Sequence, residues 1–192
     1  MYLLGHVGLA LVSAAVLVVT TRDPRRVVVG VVVLVLLASA PDVDLFLAGI
    51  QHRGITHTVW AALGLGSTLA VGGGHLARRW VTTDDTSFTF AVGTVSVLTH
   101  LAGDVITPMG IRPLYPFVST TYSLDLVAAR NPDANLALLC AGVCAFAAAL
   151  TVERASWVPP LRAQLAARSG RGARPPTPDP EFTPAVDDPA TE

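Results

Sequence analysis

His6, Asp42, Asp44, His52, His57, His100 and Asp104 lie near the ends of different apolar segments. If those segments cross a bilayer, all seven arrive at one membrane face. Ionisable groups at the border of a hydrocarbon core are costly, which makes them functional candidates. Imidazoles and carboxylates together suit a divalent transition metal such as zinc, manganese or iron rather than calcium or magnesium. Seven candidates exceed the three or four protein ligands of one zinc. A two-ion site about 3.5–4 Å across is therefore the more economical expectation.

Three short motifs carry most of these residues. His100-Leu-Ala-Gly-Asp104 places an imidazole and a carboxylate four apart, on one face of a helix. Pro41-Asp42-Val43-Asp44 puts two acids two apart, and an extended backbone there would send both to one side. Acids at the C-terminal end of a helix also oppose its dipole, which favours a cation nearby. Asp44 is in addition a candidate catalytic carboxylate. In His52-Arg53-Gly54-Ile55-Thr56-His57, the planar guanidinium of Arg53 suits bidentate binding of a substrate anion. Gly54 would let the backbone turn so that both histidines face inward. His6 stands alone in an apolar run and joins the set by its depth. His75, beside Arg78 and Arg79, falls at the opposite end of its segment and reads as interfacial.

The elements that must position these residues are legible from composition. Of 192 residues, 52% are hydrophobic and 14% charged, with a mean hydropathy of +0.55. A soluble domain carries about a quarter charged residues, so the class is an all-α, polytopic membrane helical bundle. About five spanning helices are expected, over 2–20, 27–40, 58–77, 88–106 and 134–152. Domain organisation follows as a membrane-embedded domain over 1–152 and a Pro-rich, largely disordered tail over 153–192, with a short amphipathic helix near 161–167. The first segment lacks a positive leader and does not read as a cleaved signal peptide. The stretch 107–133, with its prolines and aromatics, suits an interfacial lid. Asn131-Pro132 reads as an N-cap followed by proline at the first helical position. Cys140 and Cys144, four apart, read as small packing residues on one helix face.

All thirteen basic residues are arginine, and their placement gives an orientation. Ten fall on the side of the tail and three, Arg53, Arg112 and Arg130, on the other. The positive-inside rule then puts the tail in the cytoplasm, the N-terminus outside and the seven residues facing outward from an inner membrane. A net charge of −1 gives no nucleic-acid footprint. Membrane lipids and a small or lipid-linked anionic substrate are the expected partners; the oligomeric state is not legible.

The order of a histidine early in the first helix, then PDVD, HRGITHT and HLAGDVITPMG, resembles the membrane-bound metal-dependent hydrolases, also called LexA-regulated inner-membrane hydrolases. The resemblance covers roughly residues 1–150. It implies a hydrolase whose metal is held by Asp42, Asp44, His52, His57, His100 and Asp104, with His6 beside them. The HxxxD element is also similar to that of zinc-dependent phospholipase C and P1-type nucleases, which points towards phosphoesters. A non-catalytic metal-binding or transport protein would use the same ligands, but the other halves of the helices are too apolar for a conduction path. A b-type cytochrome would need His6 and His100 but not the three aspartates. No HExxH suggests an intramembrane protease.

Overall fold

A computed structural model describes residues 1–77 and 86–157. Arg78, Arg79, the side chain of His75 and the Pro-rich tail lie outside the described residues. Residues Met1–Ala155 form one compact unit.

The described chain is all helical, as its hydropathy pattern requires. Five α-helices, α1 Leu3–Thr20, α2 Pro24–Leu37, α3 Val59–Ala77, α4 Thr86–Val105 and α5 Pro132–Trp157, are joined by two 3₁₀ segments, Ala40–Phe46 and Ile55–His57. Four stretches are long and apolar enough to cross a membrane: Leu3–Thr20, Pro24–Phe46, Thr86–Val105 and Pro132–Glu153; Val59–Gly73 is a shorter apolar helix. The second includes the 3₁₀ segment, which extends α2 and makes up its length. α5 continues past Val152, where the polar tail was expected to begin, through Trp157.

Local chemistry sets the helix starts. Asp23 caps α2 by accepting from the Arg25 N–H at 2.9 Å, with Pro24 at the first helical position. Thr58 accepts from the Ala61 N–H at the head of α3. Asn131 accepts from the Ala134 N–H at 3.1 Å with Pro132 following, as its sequence signature predicts.

Packing is built from small side chains. One core cluster joins Ala14, Leu34 and Val92 from α1, α2 and α4; another joins Ala62, Val97, Leu101 and Ile111 beneath the site. Ser13 and Thr99 share a hydrogen bond of 2.8 Å between α1 and α4, the kind of polar contact that joins membrane helices. Large apolar side chains such as Leu36, Val71 and Val152 point outward, which suits lipid. Cys140 and Cys144 are exposed too, so they face out of the bundle instead of packing within it.

Gly103 sets the approach of α1 to α4. A Cβ at this position would lie 2.9 Å from the His6 Nδ1 and 3.0 Å from the Leu9 Cδ1. Gly103→Val should therefore force the helices apart and lower stability by about 1–3 kcal/mol, read as the thermal midpoint in detergent. An unchanged midpoint would mean that α1 is not held against α4 here.

The segment between α4 and α5 folds over one end of the bundle. Ile111 and Tyr122 pair across an antiparallel bridge, and the Leu124 and Leu126 N–H groups donate to Val105 and Ile106. Val59 donates to the Pro113 carbonyl, and Trp60 meets Phe117 edge to face. This is the end formed by the start of α1, the end of α2, the start of α3 and the end of α4.

Candidate metal centre

All seven residues singled out from the sequence meet in one connected cluster at that end. His6, His57 and His100 are 0% exposed, and Asp44 and Asp104 are also buried. Asp42 sits at the margin with its side chain 24% exposed.

The centre of the cluster is a pair of imidazoles. His57 Nε2 and His100 Nε2 lie 3.1 Å apart. Their tautomers follow from their other nitrogens. His100 Nδ1 lies 2.7 Å from the Ala38 carbonyl, which can only accept, so Nδ1 carries the proton. Thr56 spends its single hydroxyl proton on Asp44 Oδ2 at 2.6 Å, so at 3.0 Å it must accept from His57 Nδ1. With both rings neutral, two Nε2 lone pairs face each other. Such a pair is repulsive unless a proton or a cation lies between.

The carboxylates complete the surroundings. Asp104 Oδ2 lies 3.4 Å from His57 Nε2 and 3.3 Å from His100 Nε2. Asp42 Oδ1 lies 3.5 Å from each of the same nitrogens. Zinc with ligands at about 2.0–2.1 Å in tetrahedral geometry sets neighbouring donors roughly 3.3 Å apart. The triad His57, His100 and Asp104 matches that edge length on all three sides. With ligand atoms within 4.8 Å of one another, His6 groups with Asp42 and His100, and His52 groups with Asp42 and His57.

Orphaned atoms point the same way. Asp104 Oδ2 and both ring nitrogens of His6 are buried without a hydrogen-bond partner. Buried polar atoms are nearly always satisfied, so unpaired ones need an explanation. His6 stacks on His100 with ring centroids 3.8 Å apart and Nε2 3.6 Å from Asp104 Oδ1. These buried His and Asp groups have the donors and the spacing to hold a metal ion.

Three expectations change. The backbone of Asp42–Asp44 is 3₁₀ helical, not extended. The two acids therefore reach His57 from opposite edges, Asp42 at Nε2 and Asp44 at Nδ1, 3.3 Å away. Asp44 is fully engaged, by His52 Nδ1 at 2.9 Å on one oxygen and by Thr56 and the Arg53 N–H on the other. It orients the two histidines and is not an open ligand or base.

The left-handed turn falls at Arg53, with φ 59°, and not at Gly54. Gly54 is needed because a Cβ would come within 2.7 Å of the Gln51 carbonyl. The Arg53 guanidinium, expected to meet a substrate anion, is instead buried and pinned. Nη1 donates to Thr107 Oγ1 at 3.0 Å and to the Gly110 carbonyl at 2.8 Å, and Nη2 donates to Asp104 Oδ1 at 2.8 Å. The Met1 amino group donates to that same oxygen at 2.6 Å. Arg53 thus holds Asp104 so that Oδ2 faces the imidazoles.

Thr56 and Thr107 were not singled out from the sequence. Both lie within the quoted motif segments, but hydroxyls are too common in apolar helices to stand out. Removing the Thr56 hydroxyl should release the His57 tautomer. Thr56→Val is expected to weaken metal affinity about 10–100-fold, as loss of an outer orienting group does, in competition with a chelating dye. Unchanged affinity would remove Thr56 from this role.

His57 also predicts a pH dependence. Burial alone disfavours its imidazolium, but the adjacent carboxylates of Asp104, Asp42 and Asp44 outweigh burial and raise its pKa above the ordinary value. A raised pKa stabilises the metal-free fold below pH about 6.5, and that contribution is lost as pH rises through the folded value. Metal must displace the same proton. Binding near neutral pH should therefore release a proton and tighten with rising pH, as followed by calorimetry in buffers of different ionisation enthalpy. Binding without proton release would contradict it.

No curated protein and no solved structure matches the chain. A family model described as YdjM inner membrane protein matches residues 1–167. That match takes in every described helix and every residue of the cluster, and the chain belongs to the YdjM inner membrane protein family.

Proposed function

We propose that the chain is an integral inner-membrane, metal-dependent hydrolase that acts on a phosphoester or related ester at the outer membrane interface. The observation that carries this reading is the approach of His57 Nε2 and His100 Nε2 to 3.1 Å beside an unpartnered Asp104 Oδ2. His57, His100, Asp104 and Asp42 would hold the ion, zinc first and manganese or iron next, with His6 and His52 at the margins for a second. A divalent transition ion held there supplies a Lewis acid and a means of ionising water near neutral pH.

The chain's own residues do the positioning. Ala38 and Thr56 fix the two tautomers, Asp44 orients His52 and His57, and Arg53 sets Asp104. Asp42 is the most exposed of the four proposed ligands. The bias of arginines towards the tail supports an outward-facing site. The apolar cluster of Ala14, Leu34 and Val92 further along the bundle argues against a metal conduction path.

The test is hydrolysis of a panel of aryl phosphate monoesters and diesters, carboxyl esters and phosphatidic acid by the zinc-loaded protein in nanodiscs. Turnover that is lost in His57→Ala supports the reading. Stoichiometric zinc with no turnover of any class would instead make this a metal-binding protein without catalysis.

A further inference from the structure

A cleft of about 230 Å³ opens beside the buried cluster, lined by His52, Arg53, Gly110, Arg112 and Thr121 among others. Its walls carry two arginines and a histidine but no carboxylate. Arg53 lines the cleft with its Nη1 and Nη2 already spent on Thr107, Gly110 and Asp104. Arg112 is half-buried, and no carboxylate among the described residues pairs with it. Its guanidinium is held over the Tyr115 ring, 4.9 Å from the centroid. The backbone beside it is pinned by the Ile111–Tyr122 hydrogen bonds of 2.9 and 2.8 Å. A preorganised, unpaired cation in a concave wall is a binding element and not a snorkelling surface charge. The cleft is smaller than the roughly 300–1,000 Å³ of pockets for drug-sized ligands, so it suits one polar group.

We propose that this cleft binds the phosphate group of an anionic ligand, with Arg112 as its principal contact. Planar guanidinium matches two phosphate oxygens at once. Thr121, on another wall of the cleft, has a hydroxyl to offer a further oxygen. His52 belongs to both places: it lines the cleft and bonds Asp44 in the cluster. That the phosphate belongs to the substrate rests on the hydrolase reading; that the cleft binds phosphate does not. A lipid headgroup and a soluble phosphate share this chemistry.

The test measures inorganic phosphate binding by calorimetry and binding of nanodiscs containing short-chain phosphatidic acid against phosphatidylcholine. Wild type, Arg112→Gln and Arg112→Lys are compared, zinc-loaded and after chelation. Loss of one charge-assisted contact should weaken binding by Arg112→Gln about 10–100-fold in both metal states. Arg112→Lys, which keeps the charge without the fork, should lie between. Loss for both probes assigns the shared phosphate chemistry, and loss for phosphatidic acid alone assigns a lipid headgroup. Equal affinity of Arg112→Gln and wild type, or no binding by wild type, overturns the proposal. Failure of wild type to hold zinc while phosphate binding still depends on Arg112 sinks the hydrolase reading alone.

Discussion

Asp104→Ala should abolish stoichiometric metal binding and lower the stability of the metal-free protein by about 3–5 kcal/mol. Two separate losses combine. The substitution removes Oδ2, which lies 3.3–3.4 Å from the two imidazole nitrogens. It also removes Oδ1, the acceptor for Arg53 and for the Met1 amino group. Breaking a buried ion pair by deleting one partner is far more costly than the pair itself is stabilising, because the other charge stays buried and unpaired. Thermal unfolding in nanodiscs reads the second loss, and elemental analysis the first. Asp104→Ala with full metal occupancy would remove this residue from the ligand set.

Arg53→Met should have the opposite relation to metal. It strips one of two cationic partners from Asp104, the Met1 amino group remaining on the same oxygen, and leaves the carboxylate in place, so the metal-free protein should lose about 1–3 kcal/mol. A bound cation then supplies part of the missing charge. Added zinc should therefore raise the thermal midpoint more in Arg53→Met than in wild type, since ligands stabilise in proportion to their preference for the folded state. A substrate-contacting arginine would behave otherwise, with an unchanged midpoint and a raised KM. Equal midpoints for wild type and variant, both metal-free, would overturn the positioning role.

The helices and the composition of the site were legible in the sequence, because both are carried by strong local signals. Blocks of apolar residues mark the spans, and histidines and acids at their ends are too costly to be incidental. The i, i+4 pair His100 and Asp104 meets as helix geometry requires, with 3.3 Å between donors. The division of labour within the cluster was not legible, for it depends on tertiary contacts. Nothing in the order of residues says that the Arg53 fork would be filled by Thr107, Gly110 and Asp104. Nor does it say that Asp44 would face Nδ1 of His57 while Asp42 faces Nε2. The 3₁₀ turn after α2 decides that split. A pattern of two acids around a valine fits an extended strand equally well. Arg112, counted in the sequence only as an outward charge, gains its interest from the cleft, which no local pattern encodes.

A metal ion between the imidazoles of His57 and His100 and the neighbouring carboxylates would explain why the two rings face each other at 3.1 Å. Elemental analysis of the protein purified from zinc-supplemented cells, beside His100→Ala prepared identically, tests it most directly. One or two transition-metal equivalents are expected in wild type, and their loss in His100→Ala. Wild type that folds but holds no stoichiometric metal, or His100→Ala that retains it, would contradict it.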